Sequence, residues 1–350
     1  MIDSKFAAAI VGFGGMGNWH GEILKDFDDL FCAGVYDIDP ARLEYARGLG
    51  LKAYGSLDEV LKDPGIDIVV IATPNDLHKE IALKAMRSGK NIVCEKPVTL
   101  SSADLREMID CANECNVLFT VHQNRRWDED YLTMKNIFES KTLGDVFNIE
   151  SRVHGSRGIP GDWRGRKSQG GGMVLDWGVH ILDQLLQMIP GKVKTVYGRM
   201  NHVTNYEVDD GFRIIMTFES GITALAEVGT SNFISLPRWY MQGENGTAVI
   251  EDFSCKGKIV SITNWDLKDA VPVKTAAGLT KTMAPRTEET IKESALPEIK
   301  SDIHDFYRNV VGTISGKSTS LIKHEELMRC MKLMEAAFRS DESGQIVDFE

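Results

Sequence analysis

Cysteine is scarce in this chain and never arranged as a paired CxxC: the six residues are Cys32, Cys94, Cys111, Cys115, Cys255 and Cys330. Cys111 and Cys115 would share a helix face, yet no second ligand pair accompanies them, so buried thiols are expected rather than a metal centre. No apolar run approaches the length of a membrane span. No basic segment precedes an apolar stretch at the N-terminus, where Met1-Ile2-Asp3-Ser4-Lys5 leads straight into a strand-like run; no targeting signal is expected. Basic residues are in deficit, 40 against 51 acidic, for a net charge of −11. That balance argues against nucleic acid or an anionic membrane as partner. There is no internal repeat and no low-complexity tract. What remains is a cytoplasmic globular protein of ordinary composition, 43% hydrophobic and 26% charged, with 350 residues and therefore two expected domains.

The first third alternates strand and helix. Phe6 to Val11 is a short apolar strand, followed by Gly12-Phe13-Gly14-Gly15-Met16-Gly17 and a helical stretch to about Asp26. Cys32 to Asp37 is a second strand, and Asp39-Pro40 opens a helix, Asp as cap and Pro in the first turn. Asp67 to Ala72 is a continuous apolar strand of the buried parallel kind. Helix 76–88, the strand through Cys94, helix 101–115 and strand Val117 to Val121 complete the pattern of a doubly wound parallel (Rossmann) sheet. Beyond residue 124 the texture changes. Helix 129–140, an alternating strand Val146 to His154, a Gly-rich segment 155–172 too long for a turn, and helix 173–189 precede strand-like runs at 193–200, 211–219, 222–231 and 238–250. An antiparallel sheet is expected there. The fold class is thus α/β plus α+β: a dinucleotide-binding domain over 1–123 and a substrate-binding domain over 124–350. Residues 266–300 are expected to be irregular, with an amphipathic helix around Glu325 to Arg339 near the end.

Gly12-x-Gly14-x-x-Gly17 follows a strand and opens a helix, the context that lets backbone N–H groups and the helix dipole hold a pyrophosphate. Asp37, at the end of the second strand, suits the ribose hydroxyls and would repel a 2′-phosphate, which favours NAD over NADP. Lys96 follows a strand at the carboxyl edge of the sheet, where a desolvated lysine can donate to a substrate oxygen. Asp176 and His180 share a helix face, as an orienter and base would; on spacing alone they are equally an ordinary helix-surface or buried polar pair. Asp183 lies one turn further and could bind a second hydroxyl. Trp163 and Trp177 suit a core as well as the apolar face of a sugar. His20 and His78 stand near helix starts, as cofactor-positioning or capping residues. Trp163 and Arg164, on a Gly-flanked loop, are expected to fold over the cleft.

These pieces, in this order, resemble the glucose–fructose oxidoreductase / inositol dehydrogenase (Gfo/Idh/MocA) family over nearly the whole chain. The matching segments are Ala9 to Gly17 with His20, Thr73-Pro74-Asn75 with His78, Glu95-Lys96-Pro97, Asn124-Arg125-Arg126, Gly161-Asp162-Trp163-Arg164, and Gly171-Gly172 leading to Asp176-x-Gly178-x-His180. The resemblance implies Lys96, Asp176 and His180 as catalytic residues. It implies a cofactor site of Gly12, Phe13, Gly14, Gly15, Met16, Gly17, Asp37, Thr73, Asn75, His78, Glu95, Lys96, Asn124, Trp163 and Arg164. It adds Arg125, His154 and Asp183 as polyol contacts, and an open-faced antiparallel sheet used for homo-oligomer contacts. The segment from His154 to Arg164 departs from the inositol enzymes and implies a different lid; it is similar to that of enzymes oxidising the C3 hydroxyl of glucosides.

The expected activity is NAD-dependent oxidation of a ring secondary hydroxyl on a sugar or glycoside. The alternatives are an inositol or other polyol dehydrogenase, a ketosugar reductase, and a non-catalytic dinucleotide-binding sensor. A sensor has no need of Lys96 or His180.

Overall fold

The computed structural model describes residues 5–265, 271–280 and 282–350. The N-terminal unit runs β1 (Phe6–Val11), α1 (Gly15–Ile23), β2 (Leu30–Tyr36), α2 (Pro40–Gly48), β3 (Lys52–Ala53), α3 (Leu57–Lys62), β4 (Ile68–Ile71), α4 (His78–Arg87), β5 (Asn91–Cys94), α5 (Ser102–Cys115) and β6 (Phe119–Val121). Local chemistry sets the helix starts. The Asp39 side chain accepts from the Ala41 N–H ahead of Pro40, and Ser56 and Ser101 cap α3 and α5 through the amides of Glu59 and Asp104. The strands pair in the order β3-β2-β1-β4-β5-β6, all parallel, with Ile10 opposite both Val35 and Val70. β1, β4 and β5 are almost wholly buried, as a sheet covered on both faces requires. The order reverses beside β1, so the carboxyl ends of β1, β4 and β5 frame the crevice where such folds bind ligands.

The remainder runs α6 (Glu129–Glu139), β7 (Val146–His154), α7 (Val179–Met188), β8 (Val193–Asn201), β9 (Gly211–Phe218), β10 (Thr223–Gly229), β11 (Trp239–Gly243), β12 (Gly246–Ile250), β13 (Gly257–Ile262), β14 (Val273–Thr275), β15 (Gly278–Thr280), β16 (Ile291–Ser294), α8 (His304–Ile314), α9 (His324–Ser343) and β17 (Val347–Asp348). Nine strands form one sheet in the order β16-β13-β12-β11-β7-β10-β9-β8-β17. It is mixed rather than purely antiparallel, because β7 and β10 at its centre are parallel. The long crossover between them, which contains α7 and the β8–β9 hairpin, is what permits that pairing. One face packs on α7 and α9 through Phe212, Ile214, Met216, Ala224 and Ala226. The opposite face leaves Ile215 39% exposed among Arg213, Glu227 and Arg152, an open face of the expected kind.

Three features differ from the sequence-based expectation. Segment 266–300 is not uniformly irregular: β14 and β15 form a small hairpin and β16 extends the large sheet, while 266–270 and 281 lie outside the described residues. Helix 173–189 opens with a π-helical turn over Val174–Gly178 before α7 proper. The unexpected α8 returns to the first unit, where Phe306 and Tyr307 are buried against His122, His20 and Phe27. Where α9 crosses β8, a Cβ on Gly198 would stand 2.5 Å from the Ala337 carbonyl oxygen. Gly198→Val is therefore expected to destabilise the protein by about 1–3 kcal/mol in denaturant unfolding, as overpacking of a close backbone approach does.

Candidate active site

The Gly loop is built as its residue types require. Gly12 has φ +91°, and a Cβ there would meet the Ala72 carbonyl oxygen at 2.6 Å, while one on Gly17 would strike the Gly12 carbonyl oxygen. Gly14 and Gly15 face open space. They line a cavity of about 610 Å³ together with Met16, Asp37, Thr73, Asn75, Glu95, Lys96, Trp163 and Arg164. The Thr73 hydroxyl on its wall is buried without a partner. A cavity over a helix N-terminus, with room above Gly14 and Gly15 and an unsatisfied hydroxyl on its wall, fits a dinucleotide. At its far end the Asp37 carboxylate accepts from the Phe13 N–H at 2.6 Å and the Asp39 N–H at 2.8 Å. Arg42, which the sequence reading passed over, lines the same end.

Lys96, Asp176 and Arg164 meet at the other end. Lys96 Nζ donates to Asp176 Oδ1 at 3.1 Å and to its carbonyl oxygen at 3.2 Å; Arg164 Nε donates to Asp176 Oδ2 at 3.2 Å. Burial alone would raise the Asp176 carboxyl, but the two cations outweigh it and hold the group below the usual carboxylate range. Asp162 fixes Arg164 in turn, accepting from its backbone N–H and from Nη1. Asn75 Nδ2 donates to the Gly170 carbonyl at 2.9 Å, so segment 155–172 is tied to the first unit there and to the turn carrying Asp176 through Arg164. His180 is buried, and its pKa is pushed well below the ordinary value by burial first, then by Lys96 and Arg125. Asp176 and His180 do not hydrogen-bond: both Asp176 oxygens face cations, and His180 Nδ1 has no partner. The Trp177 ring lies 5.9 Å from that of His180, with the Arg125 guanidinium 4.1 Å over its face.

Four expected site residues lie elsewhere or are otherwise engaged. Asp183 is 2% exposed and holds Arg126 in a bidentate pair at 2.6 and 2.7 Å, so no oxygen is left for a substrate hydroxyl. His154 ends β7 on the outer sheet face, beside Glu227 and Arg152, away from α7 and His180. His78 is fully buried and faces the carbonyl oxygens of Pro97 and Thr73, a staple between two strand ends rather than a cleft residue. Asn124 opens a short 3₁₀ turn, its Oδ1 buried without a partner and outside the cavity wall.

A parallel doubly wound sheet with a Gly-loop cavity lined by a lysine, that lysine paired with a carboxylate one helical turn before a buried imidazole, is the framework of a dinucleotide-dependent oxidoreductase. Residues 6–123 match the oxidoreductase family with an NAD-binding Rossmann fold, and residues 131–249 match the C-terminal domain of Gfo/Idh/MocA proteins. The chain belongs to the Gfo/Idh/MocA oxidoreductase family and binds NAD through its N-terminal unit. An NAD-binding protein from Listeria innocua is 48% identical in solved structure, with a TM-score of 0.96 over 99% of both chains. An uncharacterised oxidoreductase of Schizosaccharomyces pombe is 30% identical over 84% of each chain. A scyllo-inositol 2-dehydrogenase (NADP(+)) of Bacillus subtilis is 25% identical, covering 97% of this chain and 95% of that one.

Asp209, another residue the sequence reading did not single out, holds the start of the turn that carries Asp176: its carboxylate accepts from the Val174 N–H at 2.8 Å and its carbonyl from the Met173 N–H at 3.0 Å. Burial raises its pKa from 3.8 to about 6. Its stabilising contribution is therefore complete below 3.8 and lost as the pH rises through about 6. Asp209→Asn keeps an acceptor for Val174 without the buried charge. It is expected to flatten the pH dependence of stability across that window and to raise stability near neutral pH by up to about 3 kcal/mol, measured by denaturant unfolding.

Proposed function

We propose that this protein oxidises a secondary hydroxyl on the ring of a sugar, glycoside or cyclic polyol, with C3 of a glucoside as the first position to test. The observation that carries the reading is Lys96 on the wall of the dinucleotide cavity, its amine paired with Asp176, four residues before a buried His180 whose Nδ1 has no partner and on which the charge of Lys96 acts. NAD supplies the hydride acceptor. The chain supplies the proton chemistry. His180, kept neutral by burial and by the cations around it, is the base that takes the hydroxyl proton. Lys96, 15% exposed, donates to the same oxygen and stabilises its developing charge. Asp176 holds Lys96 and Arg164 in place, so its contribution to His180 is made through charge rather than by a direct hydrogen bond. Trp163 and Arg164 cover the cavity and exclude water.

The long segment 155–172 and the aromatic flank of Trp177 support a substrate with a ring face. The relationship to an inositol dehydrogenase supports the cyclic polyol as the nearest alternative. Among the described residues no helix is long and apolar enough to cross a membrane, and the cytoplasm is the proposed location. The outer face of the large sheet, where Ile215 is exposed, is the proposed homo-oligomer contact.

Lys96→Ala and His180→Ala are each expected to lower kcat by about 10²–10⁴-fold with the best alcohol found, as loss of general acid–base catalysis does, with little change in NAD affinity by fluorescence titration. Near-wild-type kcat in both would contradict the assignment of Lys96 and His180, and no turnover of any alcohol by the wild type would return the sensor reading. Asp37 is proposed to select NAD over NADP. Asp37→Ser is expected to raise kcat/KM for NADP relative to NAD, since Arg42 at the same end of the cavity would then meet a 2′-phosphate unopposed. A wild-type preference for NADP in steady-state kinetics contradicts the assignment.

A further inference from the structure

One aromatic ring near His180 is left half in solvent. Phe253 stands in the connection between β12 and β13, is 49% exposed, and lies outside the hydrophobic core and the side chains packed on it. The connection has a defined shape. The Glu251 N–H donates to the Lys256 carbonyl at 2.8 Å, the Asp252 carboxylate accepts from the Ser254 N–H at 2.8 Å, and Cys255 takes a left-handed φ of +59°. This turn sets the Phe253 ring 6.1 Å from that of Trp177, and Trp177 in turn lies 5.9 Å from His180. The Arg125 guanidinium lies over both aromatics, 4.1 Å from the Trp177 centroid and 5.5 Å from that of Phe253.

Polar contacts underneath hold this group in place. Arg125 Nη1 donates to Asp128 at 2.9 Å, and Gln184 Nε2 donates to the Arg125 carbonyl at 2.7 Å. The buried Arg238 donates to Gln184 Oε1 at 3.1 Å, with its own guanidinium 5.1 Å over the Phe253 ring. Exposure rises along the way out from His180. That ring is 4% exposed, Trp177 and Arg125 are half-buried, and Phe253 is outermost. Each of the two steps outward, from His180 to Trp177 and from Trp177 to Phe253, is about one ring wide. The fold therefore orders an aromatic that its core does not use, on a path that leads from His180 to solvent.

We propose that Phe253, with Trp177 and Arg125, forms a subsite for an aromatic or other apolar aglycone, so that the substrate is a glycoside rather than a free sugar or a free cyclic polyol. This deepens the dehydrogenase reading above and rests on it. A pyranose that presents its C3 hydroxyl to His180 directs its C1 substituent away from the base. The apolar face of the sugar ring suits the Trp177 indole, and a planar group beyond it meets the Phe253 ring and the Arg125 guanidinium, which stack and attract through the ring faces. A free hexose or an inositol has nothing to place there and leaves Phe253 in water when it binds. Phe253 makes no contact with the reacting atoms; it acts on which substrate is held, and no bond to the aglycone is made or broken.

The test compares phenyl glucoside, methyl glucoside and glucose as reductants of NAD, in wild type, Phe253→Ala and Phe253→Tyr. Wild type is expected to show a kcat/KM about tenfold higher for phenyl than for methyl glucoside, with the difference in KM, as covering one exposed aromatic with another provides. Phe253→Ala is expected to bring that ratio close to one, and Phe253→Tyr to keep it. A ratio taken within one preparation does not depend on how much of the protein is folded. Calorimetric titration of the NADH complex with the two glucosides is expected to show the same loss, confined to the phenyl glucoside. Equal kcat/KM for the two glucosides in wild type, a preference that survives Phe253→Ala, or turnover of cyclic polyols with neither glucoside overturns the proposal and leaves the dehydrogenase reading intact. No NADH from any sugar, glycoside or cyclic polyol overturns the dehydrogenase reading itself, and the subsite with it.

Discussion

The ion pair between Lys96 and Asp176 is the constraint on which the site depends. Lys96 stands at the end of a parallel strand in the first unit and Asp176 in a π-helical turn of the second, eighty positions apart in the chain. Removing Asp176 would leave the Lys96 amine without its carboxylate where the two side chains are 15% and 11% exposed, a costly arrangement in a desolvated cleft. Arg164 shares the carboxylate, so the same group that sets the lysine also draws the segment over the cavity. The cofactor cavity, segment 155–172 and the helix of His180 are thereby held in one register.

That arrangement has an electrical consequence for His180. With Asp176 engaged by two cations, the imidazole has Lys96 and Arg125 as its strongest charged neighbours and no carboxylate hydrogen-bonded to it. The opposing charge that acts on it is Glu95, itself bonded to His20 and His122. A base that must be empty before each turnover is well served by this environment. The π-helical turn gives it form: five residues in that turn, rather than an unbroken α-helix, precede His180, a distortion frequent at functional sites.

Much of this was legible in the sequence because it depends on local rules. Gly12, Gly14 and Gly17 after an apolar strand, Asp39-Pro40 as a helix start, and Glu95-Lys96-Pro97 at a strand end each carry their meaning within a few residues. The helix at 304–314 was not read from the sequence although its apolar positions at 306, 307, 310, 311 and 314 have helical spacing, and its place against His20 and His122 is a long-range pairing. What sequence spacing could not show is pairing across the chain. Asp183 shares a helix with Asp176 and His180, yet its carboxylate is satisfied by Arg126, 57 positions away. His154 continues the alternation of its strand, but only the packed sheet shows which face is covered by α7 and α9. Spacing of four made Asp176 and His180 look like a bonded pair; the partners that separate them, Lys96 and Arg164, come from elsewhere.

The central claim is that His180 is a base held neutral by its surroundings while Asp176 is occupied with Lys96 and Arg164. The pH dependence of kcat/KM for alcohol oxidation tests this most directly, in wild type and in Asp176→Asn. The expected acid limb lies below 6.5, the ordinary histidine value, and moves further toward acid in Asp176→Asn, where the charge of Lys96 is no longer balanced. An acid limb at or above that value, unmoved by the substitution, would contradict the account.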